Sequence, residues 1–137
     1  MRYTVDASVL VKLVVEEEYS SHAVNLISDP KAILHAPSII YHEVGSVLYK
    51  MVRKHIVEKE YAMKAYENLI RIPIEVSSDD RSVLPNILGL SLKLGLHFYD
   101  CLYIYTAKKT NSLLVSSDRK FLAAADKECN SIDLRTI

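Results

Sequence analysis

Short apolar runs alternate with longer amphipathic stretches along this chain. Arg2-Tyr3-Thr4-Val5 is compact and rich in strand-forming residues, and it stops at Asp6. Leu10, Leu13 and Val14 follow at helical spacing, with Ser8 placed to cap the helix and Glu16-Glu17-Glu18 behind it. A second short helix is expected from Ser21 to Ser28, closed by Asp29-Pro30, and Ala32-Ile33-Leu34-His35 reads as the second strand. Pro37-Ser38 opens the clearest helix, in which Ile40, Val44, Val47, Leu48 and Met51 form one apolar stripe. Ala62, Ala65, Tyr66, Leu69 and Ile70 mark another helix. Ile72 to Val76 reads as a third strand, with Pro73 pointing to a strand start or an edge.

Several N-cap residues between Ser77 and Asp80 precede a helix that starts just before Pro85, runs to Lys93 and ends at Gly95. A further helix covers about Tyr99 to Lys109, Leu113 to Ser116 forms the fourth strand, and Ile132 lies in a short fifth. Strands separated by helices are the pattern of βαβ units. The expected fold is therefore α/β, a three-layer α/β/α sandwich around a five-stranded parallel sheet, in one domain over residues 1–137.

Composition narrows the chemistry. Half of the residues are hydrophobic and a quarter charged, with 17 Lys+Arg against 17 Asp+Glu, so a protein that binds nucleic acid through bulk positive charge is excluded. Any such binding must come from a local arrangement. No run approaches the roughly 18 apolar residues of a membrane span, and the first residues lack the apolar core of a signal peptide, so a cytoplasmic location is expected. Cys101 and Cys129 stand alone, which argues for ordinary thiols and against zinc or a disulfide framework.

Four acids stand out. Asp6 and Asp118 each follow an apolar strand, where ligands bind in open parallel sheets; capping of the next helix is the competing explanation for both. Glu43 lies at the edge of its helix's apolar stripe, a costly place for a carboxylate without a cation or a salt bridge, for which Lys12 is the candidate. Asp100 sits in the first turn of a helix that is apolar nearly all round, where the helix dipole also favours an anion. Together they make a set of hard oxygen ligands, with no His or Cys spaced as a partner, suited to Mg²⁺ or Mn²⁺. The chemistry such a site serves is phosphoryl hydrolysis. A dehalogenase-type phosphatase would need an acid where Ser8 stands, and the acidic pair of a response-regulator receiver is also missing.

In this order, Val5-Asp6-Ala7-Ser8-Val9-Leu10, His42-Glu43-Val44, Phe98-Tyr99-Asp100-Cys101-Leu102 and Leu114 through Phe121 resemble the PIN-domain family. The single-domain size is similar to the VapC-type toxin ribonucleases. The resemblance covers essentially the whole chain and implies an Mg²⁺- or Mn²⁺-dependent endoribonuclease. It further implies a homodimer and an inhibitory VapB-type antitoxin as partner. Carried over by position, Asp6, Glu43, Asp100 and Asp118 are the acidic quartet, catalytic and metal-binding, with Ser116 and Ser8 in support. Cys101 and Tyr105 depart from the small residues commoner there. Lys12, Lys50, Arg53 and Arg119, with Lys54 and Lys120, are expected to form a basic rim for RNA, Lys12 foremost. The other reading left open is a catalytically inactive PIN scaffold that binds RNA or protein. His42 is assigned to the surface or to packing, and His97, too early to share the face of Asp100, receives no role; Tyr99, Tyr103 and Tyr105 are assigned to the core or a dimer interface, while Tyr41 and Tyr49 are free to stack on bases.

Overall fold

The computed structural model describes residues 1–137. Its strands are β1 (Arg2–Val5), β2 (Ile33–Pro37), β3 (Glu75–Ser77), β4 (Leu113–Ser116) and β5 (Ser131–Asp133), and its helices are α1 (Ala7–Val11), α2 (Ser20–Ser28), α3 (Ile39–Arg53), α4 (Lys59–Leu69), α5 (Leu84–Leu94), α6 (Phe98–Thr110) and α7 (Arg119–Ala125). All neighbouring strands pair in parallel, in the order β3-β2-β1-β4-β5. The expected three-layer sandwich is the observed one. From β1 the chain moves outward through β2 to β3, then returns past β1 to β4 and β5. Right-handed crossovers put the helices of these two directions on opposite faces of the sheet. The reversal opens a crevice beyond the carboxyl ends of β1 and β4, which are hydrogen-bonded neighbours with Val5 opposite Val115.

The core explains why these runs became central strands. Val5, Leu114 and Val115 are fully buried, as are Leu10 and Ile40 from the helices and Ile104 from α6, which packs across β1, β2 and β4. Each such side chain contributes about 1.5–3 kcal/mol on burial. Thr4 Oγ1 lies 2.6 Å from Ser112 Oγ, which also meets Thr110 Oγ1 at 2.8 Å, while the buried Nε2 of His35 on β2 has no hydrogen-bond partner.

Several boundaries differ from the sequence-based expectation. The first helix is a short α1 with Asp6 at the N-cap position, making no side-chain capping bond, and with Ser8 inside the helix, so Ser8 is not the N-cap. Leu13 and Val14 lie in the turn beyond α1, where packing holds them without helix. The second strand runs past His35 to Pro37, because β3 pairs with His35, Ala36 and Pro37. Conversely, β3 starts at Glu75 rather than Ile72: Pro73 lacks the N–H a ladder needs, and pairing begins beyond it. Asp80 caps a short 3₁₀ turn over Arg81–Val83 before α5, which ends with Gly95 in the left-handed conformation at φ 68°. The helix α7 follows Asp118 without having been assigned from sequence.

Candidate active site

Asp6 stands at the first residue past β1, with extended backbone, and its carboxylate makes no capping bond. Its side chain is only 8% exposed. Ser8, two residues on, turns its Oγ back to donate to Asp6 Oδ1 at 2.5 Å, and Ser117 N–H donates to that same Ser8 Oγ at 3.1 Å. Ser116, fully buried at the end of β4, lies with its Oγ 3.5 Å from Ser8 Oγ and accepts from Asp118 N–H at 3.0 Å. The two serines thus tie the ends of β1 and β4 together. Burial pushes the Asp6 carboxyl up to about 6, although hydrogen bonds from Ser116 and Ser8 oppose the rise and the charge of Glu43 adds to it.

Glu43 enters from α3, half-buried, and its Oε1 accepts the Tyr103 hydroxyl at 2.5 Å. Desolvation raises its carboxyl first, against the lowering effect of the Tyr103 hydrogen bond, and the charge of Asp100 raises it further. Tyr103 is 2% exposed and lies one turn beyond Asp100 on α6. Burial and the bond to Glu43 hold its hydroxyl far above the ordinary tyrosine range, so it stays an O–H donor. Asp100 is half-buried in the first turn of α6, and its carboxyl is raised by desolvation, lowered by His97 and raised by Asp118.

Asp118 takes the capping role that the sequence offered as the competing explanation, with one carboxylate oxygen. Its Oδ1 accepts from Lys120 N–H and Phe121 N–H at 3.1 and 3.2 Å, which caps α7, leaving Oδ2 uncommitted. For Asp6 the capping explanation fails, because its carboxylate bonds to Ser8 rather than to the helix amides.

The structure thus brings the quartet and both serines to one end of the sheet. None of the four acids has a basic partner within ion-pair distance. Lys12 pairs instead with Glu17 at 3.2 Å, so the salt bridge considered for Glu43 does not form, and the Lys12 side chain is only 14% exposed. Lys12 thus faces the acidic run after α1. Lys50 and Arg53 are exposed in the last turn of α3, but lie roughly 10 and 15 Å along the helix from Glu43. Arg53 lines a groove between α3 and α4. Arg119 is the best placed of the set: it follows Asp118, is mostly exposed, and lies 3.7 Å from Asp133.

Sequence reasoning missed two residues. His97 was set aside as too early, yet it lies one turn before Asp100, whose N–H donates to the His97 carbonyl, and its proximity lowers the Asp100 carboxyl. Tyr103 was assigned to packing; its spacing of three from Asp100 was the available signal, since such pairs share a helix face. His42 and Tyr49 are exposed, and Tyr99, 55% exposed, lies outside the core, which leaves the interface half of its expectation.

The donor set is all oxygen and carries uncompensated negative charge in a partly buried crevice, which fits a hard divalent cation. No three ligating side chains converge tightly enough to enclose an ion unaided. That openness suits Mg²⁺, which keeps several waters and takes only one or two carboxylates directly. None of the five main cavities is lined by the quartet.

Comparison with known proteins agrees with this geometry. "Ribonuclease VapC3" of Pyrobaculum aerophilum is 31% identical over 88% of this chain and 92% of its own length. "Exonuclease VapC9" of the same organism is 30% identical over 100% of this chain and 93% of its own. The crystal structure of PAE2754, also from Pyrobaculum aerophilum, superposes with a TM-score of 0.77 at 28% identity, covering 99% of this chain and 94% of that one. The PIN-domain profile matches residues 3–127, and on these grounds the chain belongs to the PIN-domain family.

Proposed function

We propose that this chain is a divalent-metal-dependent endoribonuclease, the toxin of a VapBC-type toxin–antitoxin pair. One observation carries the reading: four carboxylates, none neutralised by a lysine or arginine, gather where the sheet reverses direction. Stability alone would not retain such a group, since like charges in a crevice repel. A bound Mg²⁺ or Mn²⁺ would polarise the phosphate and lower the pKa of a bound water. Asp6, Glu43 and Asp100 would hold it, directly or through water. Ser8 and Ser116 fix the Asp6 carboxylate, Tyr103 fixes that of Glu43, and Asp118 offers its one oxygen left over from capping. Arg119 at the rim is the candidate contact to the RNA backbone, and hydrolysis would leave a 5′-phosphate and a 3′-hydroxyl.

The relatives carry both a ribonuclease and an exonuclease name, so internal cleavage is the part of this reading that most needs a test. A circular RNA incubated with the protein and Mn²⁺ tests this directly. Linearisation is expected. Degradation of linear RNA alone would overturn the endonuclease assignment in favour of an exonuclease, and no cleavage of either form would leave the inactive-scaffold reading.

Two apolar surfaces support the proposed partners. Leu88 and Leu92, 51% and 76% exposed one turn apart on α5, and Tyr99 at the start of α6 suit an interface with a second copy. Leu92→Lys is expected to convert a dimer to a monomer in sedimentation velocity; an unchanged mass would remove this face from the interface. On the other side, the groove between α3 and α4, about 360 Å³ and lined by Leu48, Tyr49, Val52, Met63 and Tyr66, suits the apolar face of an antitoxin helix.

A further inference from the structure

Three cations at the carboxyl end of the sheet are held by carboxylates outside the quartet. Lys12 follows α1 as its C-cap in right-handed helical conformation, one turn beyond Ser8 and on the same face as that serine, which bonds Asp6. Its ammonium, 14% exposed, lies 3.2 Å from Glu17 Oε1 and 6.0 Å from the centre of the Tyr19 ring. The Arg135 guanidinium lies 5.2 Å from the centre of that same ring and bonds Asp133, which stands opposite Ser116 where β5 pairs with β4. Arg119 meets Asp133 as well. Lys12, Arg135 and Arg119 thus border the ends of β1, β4 and β5 beside the acids.

The two carboxylates hold their cations differently. Asp133 is fixed at the end of a strand and accepts from the Arg135 backbone N–H, Nε and Nη2. Glu17 is 45% exposed, and its carboxylate bonds Lys12 alone. The turn that carries it is nonetheless well tied. Glu17 N–H donates to Ser20 Oγ at 3.0 Å, and that hydroxyl donates to the Val15 carbonyl at 3.2 Å. Tyr19 is held in the left-handed region at φ 70°, a costly conformation for a bulky side chain. A largely desolvated ammonium needs an anion beside it, with or without substrate. An exposed carboxylate with one bond meets that need and is weak enough to be exchanged for a phosphate. We infer that Lys12 binds a backbone phosphate of the RNA beside the one being cut, and that Glu17 holds the ammonium in place until the strand displaces it. The inference rests on the proposed ribonuclease and goes beyond it by assigning a residue that competes with the substrate. It also reconciles an anionic substrate with a chain whose formal net charge is zero.

Steady-state cleavage of a mixed-sequence single-stranded RNA in Mn²⁺ tests this with Lys12→Met, Glu17→Gln, the double variant and the control Glu18→Gln, which removes the same charge from the same turn. Lys12→Met is expected to raise KM about tenfold with little change in kcat, and to lower the slope of log KM against log salt by about one. Glu17→Gln should do the opposite and lower KM about threefold, the weight of a weak exposed ion pair. That gain should be absent from Glu18→Gln and from the double variant. An unchanged or raised KM in Glu17→Gln makes the pair structural and overturns the inference. An equal gain in Glu18→Gln, or a gain that persists without Lys12, reduces the effect to bulk charge and overturns it too. Should Lys12→Met fail to fold, the contrast between Glu17→Gln and Glu18→Gln decides alone. Wild type that cuts no RNA overturns the ribonuclease reading instead. The same variants are then compared by fluorescence anisotropy of that RNA in Mn²⁺, where wild type that does not bind overturns the inference as well.

Discussion

Asp6→Asn is expected to make the metal-free protein more stable while removing its activity. Burial holds the Asp6 carboxyl at about 6 in the folded chain, against 3.8 for the exposed group. A folded-state value above the unfolded one means that folding favours the protonated form. The associated stability is complete below pH 4 and is lost as the pH rises through 6. By pH 7.5 the ionised Asp6 costs the metal-free fold roughly 3 kcal/mol relative to a neutral group of the same shape. Asparagine is that group, and it still accepts the Ser8 hydroxyl. The midpoint of thermal unfolding in EDTA at pH 7.5 should therefore rise by about 10 °C. At pH 4.5 the gain should fall to about a third, roughly 1 kcal/mol. Comparing variant with wild type at each pH cancels carboxylates that shift the other way, such as Asp133 beside Arg135. Cleavage of RNA should fall about a thousandfold, since a ligand to an ion worth several kcal/mol of transition-state stabilisation is lost. A variant no more stable than wild type at pH 7.5 would mean that Asp6 is not strained by burial.

The second large effect follows from the same carboxylate. At a hundred times its dissociation constant, Mn²⁺ should stabilise wild type by about 2.7 kcal/mol at pH 7.5, because it binds only the folded chain. At pH 5 protons hold Asp6 at about ten to one, given its value of about 6. The apparent affinity should drop about tenfold, and with it about 1.4 kcal/mol of the gain. Glu43 and Asp100 are raised too, so they add to the loss rather than offset it. Differential scanning fluorimetry at the two pH values measures this. An equal Mn²⁺ shift at both would place the ion elsewhere, and Asp6→Asn should show little shift at either.

Together these results would describe a site whose instability is part of its function. A cluster of acids without basic partners is a local conflict with folding, and such conflicts are expected where a ligand supplies the missing charge. The serines and Tyr103 make that conflict tolerable by giving the carboxylates hydrogen bonds that do not neutralise them.

Much of this was legible from the residues in order. The β1 and β4 runs end where apolar alternation gives way to acid, and parallel pairing requires helices between strands, so the layer order followed. The quartet could be named because each acid broke a local pattern: Glu43 on an apolar stripe, Asp100 in an apolar helix, Asp6 and Asp118 at strand ends. Where expectation failed, a tertiary partner had decided. Lys12 was the candidate partner of Glu43 until the Glu16–Glu18 turn folded back and gave it Glu17. Ser8 had the spacing of a cap, but chain direction after β1 placed Asp6 there instead and turned Ser8 toward it.

The sequence by itself determined the periodicities, and with them the α/β class, the buried strands and the identity of the acids, because all of these depend on neighbours within a few residues. Only the tertiary structure decided how the acids are held. Asp6 and Ser116 meet because β1 and β4 pair across more than a hundred residues, and Tyr103 reaches Glu43 because α6 packs against the sheet near the start of α3. Spacing along a helix or strand records which face a side chain takes. What stands opposite that face is set by long-range packing, and that is where the hydrogen bond from Tyr103 to Glu43 and the burial of Asp6 were decided.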